Sequence, residues 1–220
     1  MARKIASEYV KAFRSLQNRL RKDFPKPKDR DYETLPDNVT EVLILGILAT
    51  NDTFSHAKQA FKAIQEEMVD FNELRVTPAV ELAELLKKYL SDATRASTDL
   101  VRTLNAVFSR FDTLDLSELK DKNKAELSKI FEDIKGCPDH ARCMMLLFSF
   151  EVPVMPLDDR MLEYLVSSEV MPAEADVATV KAFIERQLKA SEIPAFYWQL
   201  RKAAESEEKK RKPKSKKDND

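Results

Sequence analysis

Glycine is almost missing: 220 residues contain two, Gly46 and Gly136. Tight turns, hairpins and barrels need residues that tolerate positive φ, so an all-β architecture starts badly. With the two glycines 90 positions apart, neither G-x-G-x-x-G nor G-x-x-x-x-G-K-[ST] is present, which sets aside kinase, P-loop and Rossmann chemistry. Thiols are equally scarce. Cys137 and Cys143 lie six positions apart, and no other cysteine exists to form a disulfide framework or a four-thiolate site. With His56 and His140 the only histidines, the ligand supply argues against zinc or an iron–sulfur cluster, and no cofactor is expected. No window approaches the roughly 18 apolar residues of a membrane span. The opening MARKIASEYVKAF is too polar for a signal peptide. The expectation is a soluble, cytoplasmic, non-secreted monomer, nucleoid-associated if bacterial.

What is present is helical periodicity. Ile5, Val10, Phe13, Leu16 and Leu20 share a face over residues 5–21, and Phe24-Pro25-Lys26-Pro27 ends that helix. A polar connector follows to Pro36. VTEVLILGILA, residues 39–49, is nearly all apolar and reads as a buried central helix. Further helices are predicted at 55–68, 78–89, 94–111, 115–120, 123–134, 138–150, 158–168, 176–189 and 194–204. Asn123-x-x-Glu126 has the pattern of a capping box. Val152-Pro153-Val154-Met155-Pro156 is extended, but its prolines bar it from a central strand. Residues 205–220, rich in lysine, have no apolar face and are expected to be disordered.

The segment KIFEDIKGCPDHARCMMLLFSFEVPVMPLDDRMLEYL, residues 129–165, reads as helix, tight turn, helix, extended link, helix. It resembles the core signature of the helix-hairpin-helix DNA glycosylase superfamily, the endonuclease III kind. In that family a hairpin Leu-Pro-Gly-Val-Gly precedes a helix carrying a catalytic lysine, and a Val-Asp-Thr-His stretch follows. Here Ile134-Lys135-Gly136-Cys137-Pro138 falls on the hairpin, His140 on the lysine, and Leu157-Asp158-Asp159-Arg160 on the aspartate stretch. The 18-residue separation of His140 and Asp158 agrees with the family spacing. Upstream, GILATNDTFSHAKQAF resembles a family segment in which Asn51 stands where a glutamine fills the duplex after a base is flipped out. Weaker likeness covers residues 15–200.

The resemblance implies an all-α fold of two helical lobes over residues 1–204. One lobe holds about 36–135 plus the hairpin 129–150; the N- and C-terminal helices form the other. It implies double-stranded DNA as partner and base-excision repair as activity. DNA would lie against Gly136, Cys137, Asp139, His140 and Asn51, with hairpin N–H groups gripping a phosphate. Asp158 would be the catalytic carboxylate, stabilising positive charge on the sugar or orienting water. The departures limit this chemistry. His140 has no primary amine, so the Schiff-base lyase step is excluded. What is left is at best a monofunctional N-glycosylase working through Asp158 and water. Pro138 removes an N–H from the grip, and Asp139 has the wrong sign beside a phosphate. The family's C-terminal iron–sulfur cysteines are absent.

Each residue also has a plainer reading. Asp158 fits a helix N-cap, Asn51 a helix C-cap, and His140 a solvated residue near a helix start. Phe196-Tyr197-Trp198 reads more readily as core than as a base wedge. Residues 205–220 carry seven Lys/Arg against five Asp/Glu, so the other 204 residues hold a net charge of −3. A dedicated DNA binder shows a basic surplus in its folded part. A second expectation therefore stands beside the first: a catalytically inactive glycosylase fold serving as a DNA-binding or protein-interaction module.

Overall fold

Helix α2 (Val39–Ala49) is the axis of the molecule, and every residue in it except Glu41 is buried. A helix apolar on all sides must be wrapped on all sides. Its wrapping comes from α3 (Phe54–Glu67), α6 (Ala93–Phe111) and α8 (Asp139–Ser149). The closest crossing is α2 on α8: a Cβ added to Gly46 would lie 3.0 Å from the Ala141 Cα. Gly46 therefore serves backbone approach between helices, not a turn. Asn38 caps α2, its side chain accepting from the Thr40 and Glu41 N–H groups.

The computed structural model describes residues 7–25 and 35–211. Among these it contains α-helices and two short 3₁₀ turns, with no strand. Outside these helices, α4 (Phe71–Val76) and α5 (Ala79–Leu86) pack on α6 and α7 (Lys124–Glu132) packs on α8, the last with its Asn123/Glu126 capping box formed. The second lobe packs α1 (Ser7–Asp23), α9 (Asp159–Ser167), α10 (Val177–Gln187) and α11 (Ile193–Arg211) against one another. Its core is aromatic: Phe13 meets Phe183 edge-on at 5.4 Å and Phe196 at 5.3 Å. Phe196, Tyr197 and Trp198 are all buried, which makes them core rather than wedge.

Two details depart from the sequence reading. Helix α4 was not anticipated; six residues are too few for a periodic signal, although Asp70 caps it and Glu73 bonds back to the Val69 N–H. Helix α11 runs through Arg211 instead of ending at 204. Its extra turns begin at Glu205, whose carboxylate binds Arg201 at 3.1 Å and the Phe54 N–H at 2.8 Å. Those contacts anchor helix that an isolated charged segment would not form. The connector 26–34 and residues 212–220 lie outside the described residues.

Candidate active site

The extended link 150–157 returns the chain from α8 to the start of α9, where Asp158 is the N-cap and accepts from the Met161 N–H at 2.9 Å. Its other oxygen accepts from the Asn51 N–H at 3.0 Å. Asn51 follows the end of α2 with φ +59°, a left-handed conformation that asparagine tolerates better than most residues. Its side-chain amide exchanges two hydrogen bonds of 3.0 Å with Asp159, one to the carboxylate and one from the N–H. Asn51 thus clasps the end of α2 to the start of α9. These contacts give Asp158 the N-cap role that the sequence offered, whereas the C-cap of α2 is Thr50 and Asn51 lies one residue beyond it.

Asp158 is only 4% exposed, and a third partner stands beside it. Arg201, on α11, places Nη1 4.0 Å from the Asp158 carboxylate, while Nη2 donates to the carbonyls of Ala49 at 2.7 Å and Asp52 at 2.6 Å. The guanidinium therefore plugs the C-terminal end of α2, where backbone carbonyls concentrate negative charge. Burial alone would raise the Asp158 pKa; His140, Arg201 and the two N–H donors outweigh it and hold the carboxyl below its usual value.

His140 is 2% exposed, which corrects the expectation of a solvated residue. Position 140 lies one residue inside α8, on the side that meets α2 and α11, so its ring points into the core rather than along the hairpin surface. Nδ1 lies 3.1 Å from the Thr50 hydroxyl, which itself donates to the Gly46 carbonyl. This assigns the proton to Nδ1 and leaves Nε2 to accept from the Tyr197 hydroxyl at 3.1 Å, with Arg201 Nη1 at 3.3 Å. Burial, reinforced by the Arg201 charge against the pull of Asp158, lowers the His140 pKa to about 4. At neutral pH the imidazole is uncharged. Tyr197, fully buried in the same network, is pushed up to about 12 by desolvation.

The hairpin is equally self-contained. Gly136 has φ +82° and is exposed, but a Cβ there would fall 2.7 Å from the Cβ of Arg102 on α6. Its lack of a side chain serves contact with α6 as well as the turn. Asp139 stands at the first position of α8, where an anion is favoured, and its carboxylate is bound by Arg142 and by Lys181 of α10 at 2.8 Å. Burial raises the Asp139 pKa, but the two cations more than offset it and keep the group ionised. The helix terminus that would receive a phosphate thus already holds a carboxylate of its own. Cys137 accepts no charge either: burial pushes its thiol up to about 12.

Between the lobes, next to this network, opens a cleft of about 930 Å³. Asn51, Tyr89 and Tyr164 line it together with five carboxylates (Asp52, Asp159, Glu163, Glu205, Glu207) and three cations (Lys87, Lys88, Arg160). Asp158 and His140 are not in its wall. Sequence reasoning brought together Asp158, His140 and Asn51, and they do converge. It missed Arg201 and Tyr197, the groups that fill the space between them. The available signal was a single arginine on the buried stripe of α11, one helical turn after Tyr197 and four positions before Glu205. Among the described residues no group of three or more His, Cys, Asp or Glu is placed to hold a metal. No helix among them is long and apolar enough to cross a membrane.

No family profile and no curated protein matches the chain. Solved structures do. Endonuclease III trapped on DNA as a covalent intermediate superposes with a TM-score of 0.65 at 15% identity, covering 87% of this chain and 84% of that one. The 3-methyladenine DNA glycosylase of H. pylori, bound to 1,N6-ethenoadenine, gives 0.56 at 15% identity over 91% and 97% of the two chains. A thermostable thymine-DNA glycosylase gives 0.59 at 16% identity over 90% and 86%. The fold is that of the helix-hairpin-helix DNA glycosylases, as the hairpin segment implied.

Proposed function

We propose that this chain is a DNA-repair glycosylase fold that has given up base excision and acts as a non-catalytic nucleic-acid-binding module. The carrying observation is Arg201. Its guanidinium stands beside Asp158, reaches His140 at 3.3 Å and is held by the Ala49 and Asp52 carbonyls. Catalysis by a carboxylate requires that it approach the sugar C1′ or a water within hydrogen-bond reach. Both oxygens of Asp158 are already engaged, and the side chain is 2% exposed. Displacing Arg201 would strand two carbonyls and a buried carboxylate, at a cost of several kcal/mol. Position 140 supplies a neutral imidazole locked by three partners, with neither an amine for Schiff-base formation nor a free nitrogen for a proton.

The competing reading, a monofunctional N-glycosylase, draws on the ionised state of Asp158 and on the cleft whose wall includes its neighbours Asn51 and Asp159. A panel of duplexes carrying uracil, oxidised, alkylated and mismatched bases separates the two. Under single-turnover conditions no free base is expected from any member, with wild type and Asp158→Asn alike. Release of a base by wild type and not by Asp158→Asn would establish the glycosylase and end the non-catalytic reading.

A further inference from the structure

Charge in this chain is segregated along the sequence. Residues 1–30 carry ten Lys/Arg against three Asp/Glu, whereas residues 31–204 carry twenty against thirty. The strongly acidic part contains the hairpin, the candidate active site and most of the interlobe cleft wall, the surfaces a glycosylase would turn toward DNA. The described part of the basic region is α1, with Lys11, Arg14, Arg19, Arg21 and Lys22 against Glu8 and Asp23.

Helix α1 divides these residues cleanly. Phe13, Leu16 and Leu20 are buried against the second lobe. Lys11, Arg14, Ser15, Asn18 and Lys22 recur at helical spacing on the opposite face, all exposed. Two flanking arginines are engaged, Arg21 with Glu192 at 2.7 Å and Arg19 with the Tyr164 hydroxyl at 3.3 Å. Lys11, Arg14 and Lys22 have no ion-pair partner among the described residues. From Lys11 to Lys22 the face spans roughly 16 Å at 1.5 Å per residue. One DNA strand presents about one phosphate per 3.4 Å of axis, so this face lies along four or five of them.

We infer that the outer face of α1, through Lys11, Arg14 and Lys22, is the surface that binds the phosphodiester backbone of nucleic acid. This rests on the reading of the chain as a nucleic-acid-binding module and relocates the contact away from the hairpin. The composition of the face selects the occupant. Cations interleaved with Ser and Asn match backbone contacts, which position without reading sequence. A protein partner would want aromatic or aliphatic anchors at the centre of the patch, and this face has none. A membrane surface would need an apolar flank to insert, but the apolar side of α1 is already spent on the core.

The test is the salt dependence of binding to an undamaged, fluorescently labelled duplex of about 20 base pairs, long enough to cover the face. Three proteins are compared: wild type, Lys11→Gln/Arg14→Gln/Lys22→Gln, and a control, Lys87→Gln/Lys88→Gln/Lys135→Gln, that removes three cations from the cleft and hairpin. All six side chains are exposed, so folding is retained and circular dichroism verifies it. Each lost phosphate contact flattens the plot of log affinity against log salt by about 0.9, so the α1 variant should be shallower by about 2.7 and the control unchanged. A flat control beside an unchanged α1 variant would overturn the inference while leaving the binding module intact. So would an α1 variant that abolishes self-association in sedimentation and not DNA binding. Failure of wild type to bind duplex at low salt would overturn both. The excision panel is independent of all three results.

Discussion

Replacing Arg201 with methionine keeps most of the side-chain stem and removes the guanidinium. Besides the pair with Glu205 and the contacts with His140 and Tyr197, three losses follow. The carbonyls of Ala49 and Asp52 lose donors at 2.7 and 2.6 Å, and Asp158 loses its neighbouring cation. An unsatisfied buried acceptor costs about 1–3 kcal/mol, and breaking a buried charge pair from one side costs about 3–5 kcal/mol. These overlap, because one group serves all three, so the expected destabilisation is about 4 kcal/mol and not their sum. Urea unfolding at neutral pH, with unchanged slope, measures it directly. In an Asp158→Asn background the same substitution should cost about 2 kcal/mol less, since no buried carboxylate is stranded. A loss under about 1 kcal/mol, or a cycle with no coupling, would refute the claim that the guanidinium holds the site shut.

Four further outcomes follow from the same geometry. His140 has a folded pKa near 4, below its unfolded value of about 6.5, so the unfolded chain binds the extra proton between them. Its contribution is complete above about pH 6.5 and lost as pH falls toward 4, up to about 3 kcal/mol; His140→Asn should flatten that part of the stability–pH curve. Gly136→Ala sets a Cβ at φ +82° and 2.7 Å from Arg102 Cβ and should cost about 1–3 kcal/mol, read as a lower thermal midpoint. Gly46→Ala, at 3.0 Å from the Ala141 Cα, should cost a similar amount by separating α2 from α8. Cys137 and Cys143, pushed up to about 12 and about 11 by burial, should alkylate slowly at neutral pH in the native protein and rapidly in denaturant.

Much of the architecture was legible because α-helical periodicity is local. The apolar run of α2, the stripe of α6 and the Asn123–Glu126 box each declare themselves within a few turns. The spacing from His140 to Asp158 also carried the right message, because the extended link has a fixed job: bringing the start of α9 to the end of α2. What stayed hidden was long-range pairing. Arg201 meets Ala49 and Asp52 across about 150 residues of chain, and nothing near position 201 encodes those carbonyls. The burial of His140 is hidden for the same reason. Its place near a helix start suggests solvent, but α2 and α11 converge on that turn of α8 and bury it. Asp139 reads locally as a fault in a phosphate grip, and its neutralisation by Lys181, 42 residues on, is a pairing that nothing near position 139 encodes. Helix α4 escaped because it is short, even though its Asp70-x-x-Glu73 start carries the local signal of a cap.

Carboxyl footprinting tests whether Asp158 is closed to substrate. Carbodiimide-driven coupling of an amine, read by peptide mass, compares Asp158 with its exposed neighbours Asp159 and Glu163. The closed site predicts modification of Asp159 and Glu163 and none of Asp158, with or without a damaged duplex. Labelling of Asp158 that appears when the duplex is added would show that DNA opens the site, and would contradict a closed, non-catalytic Asp158.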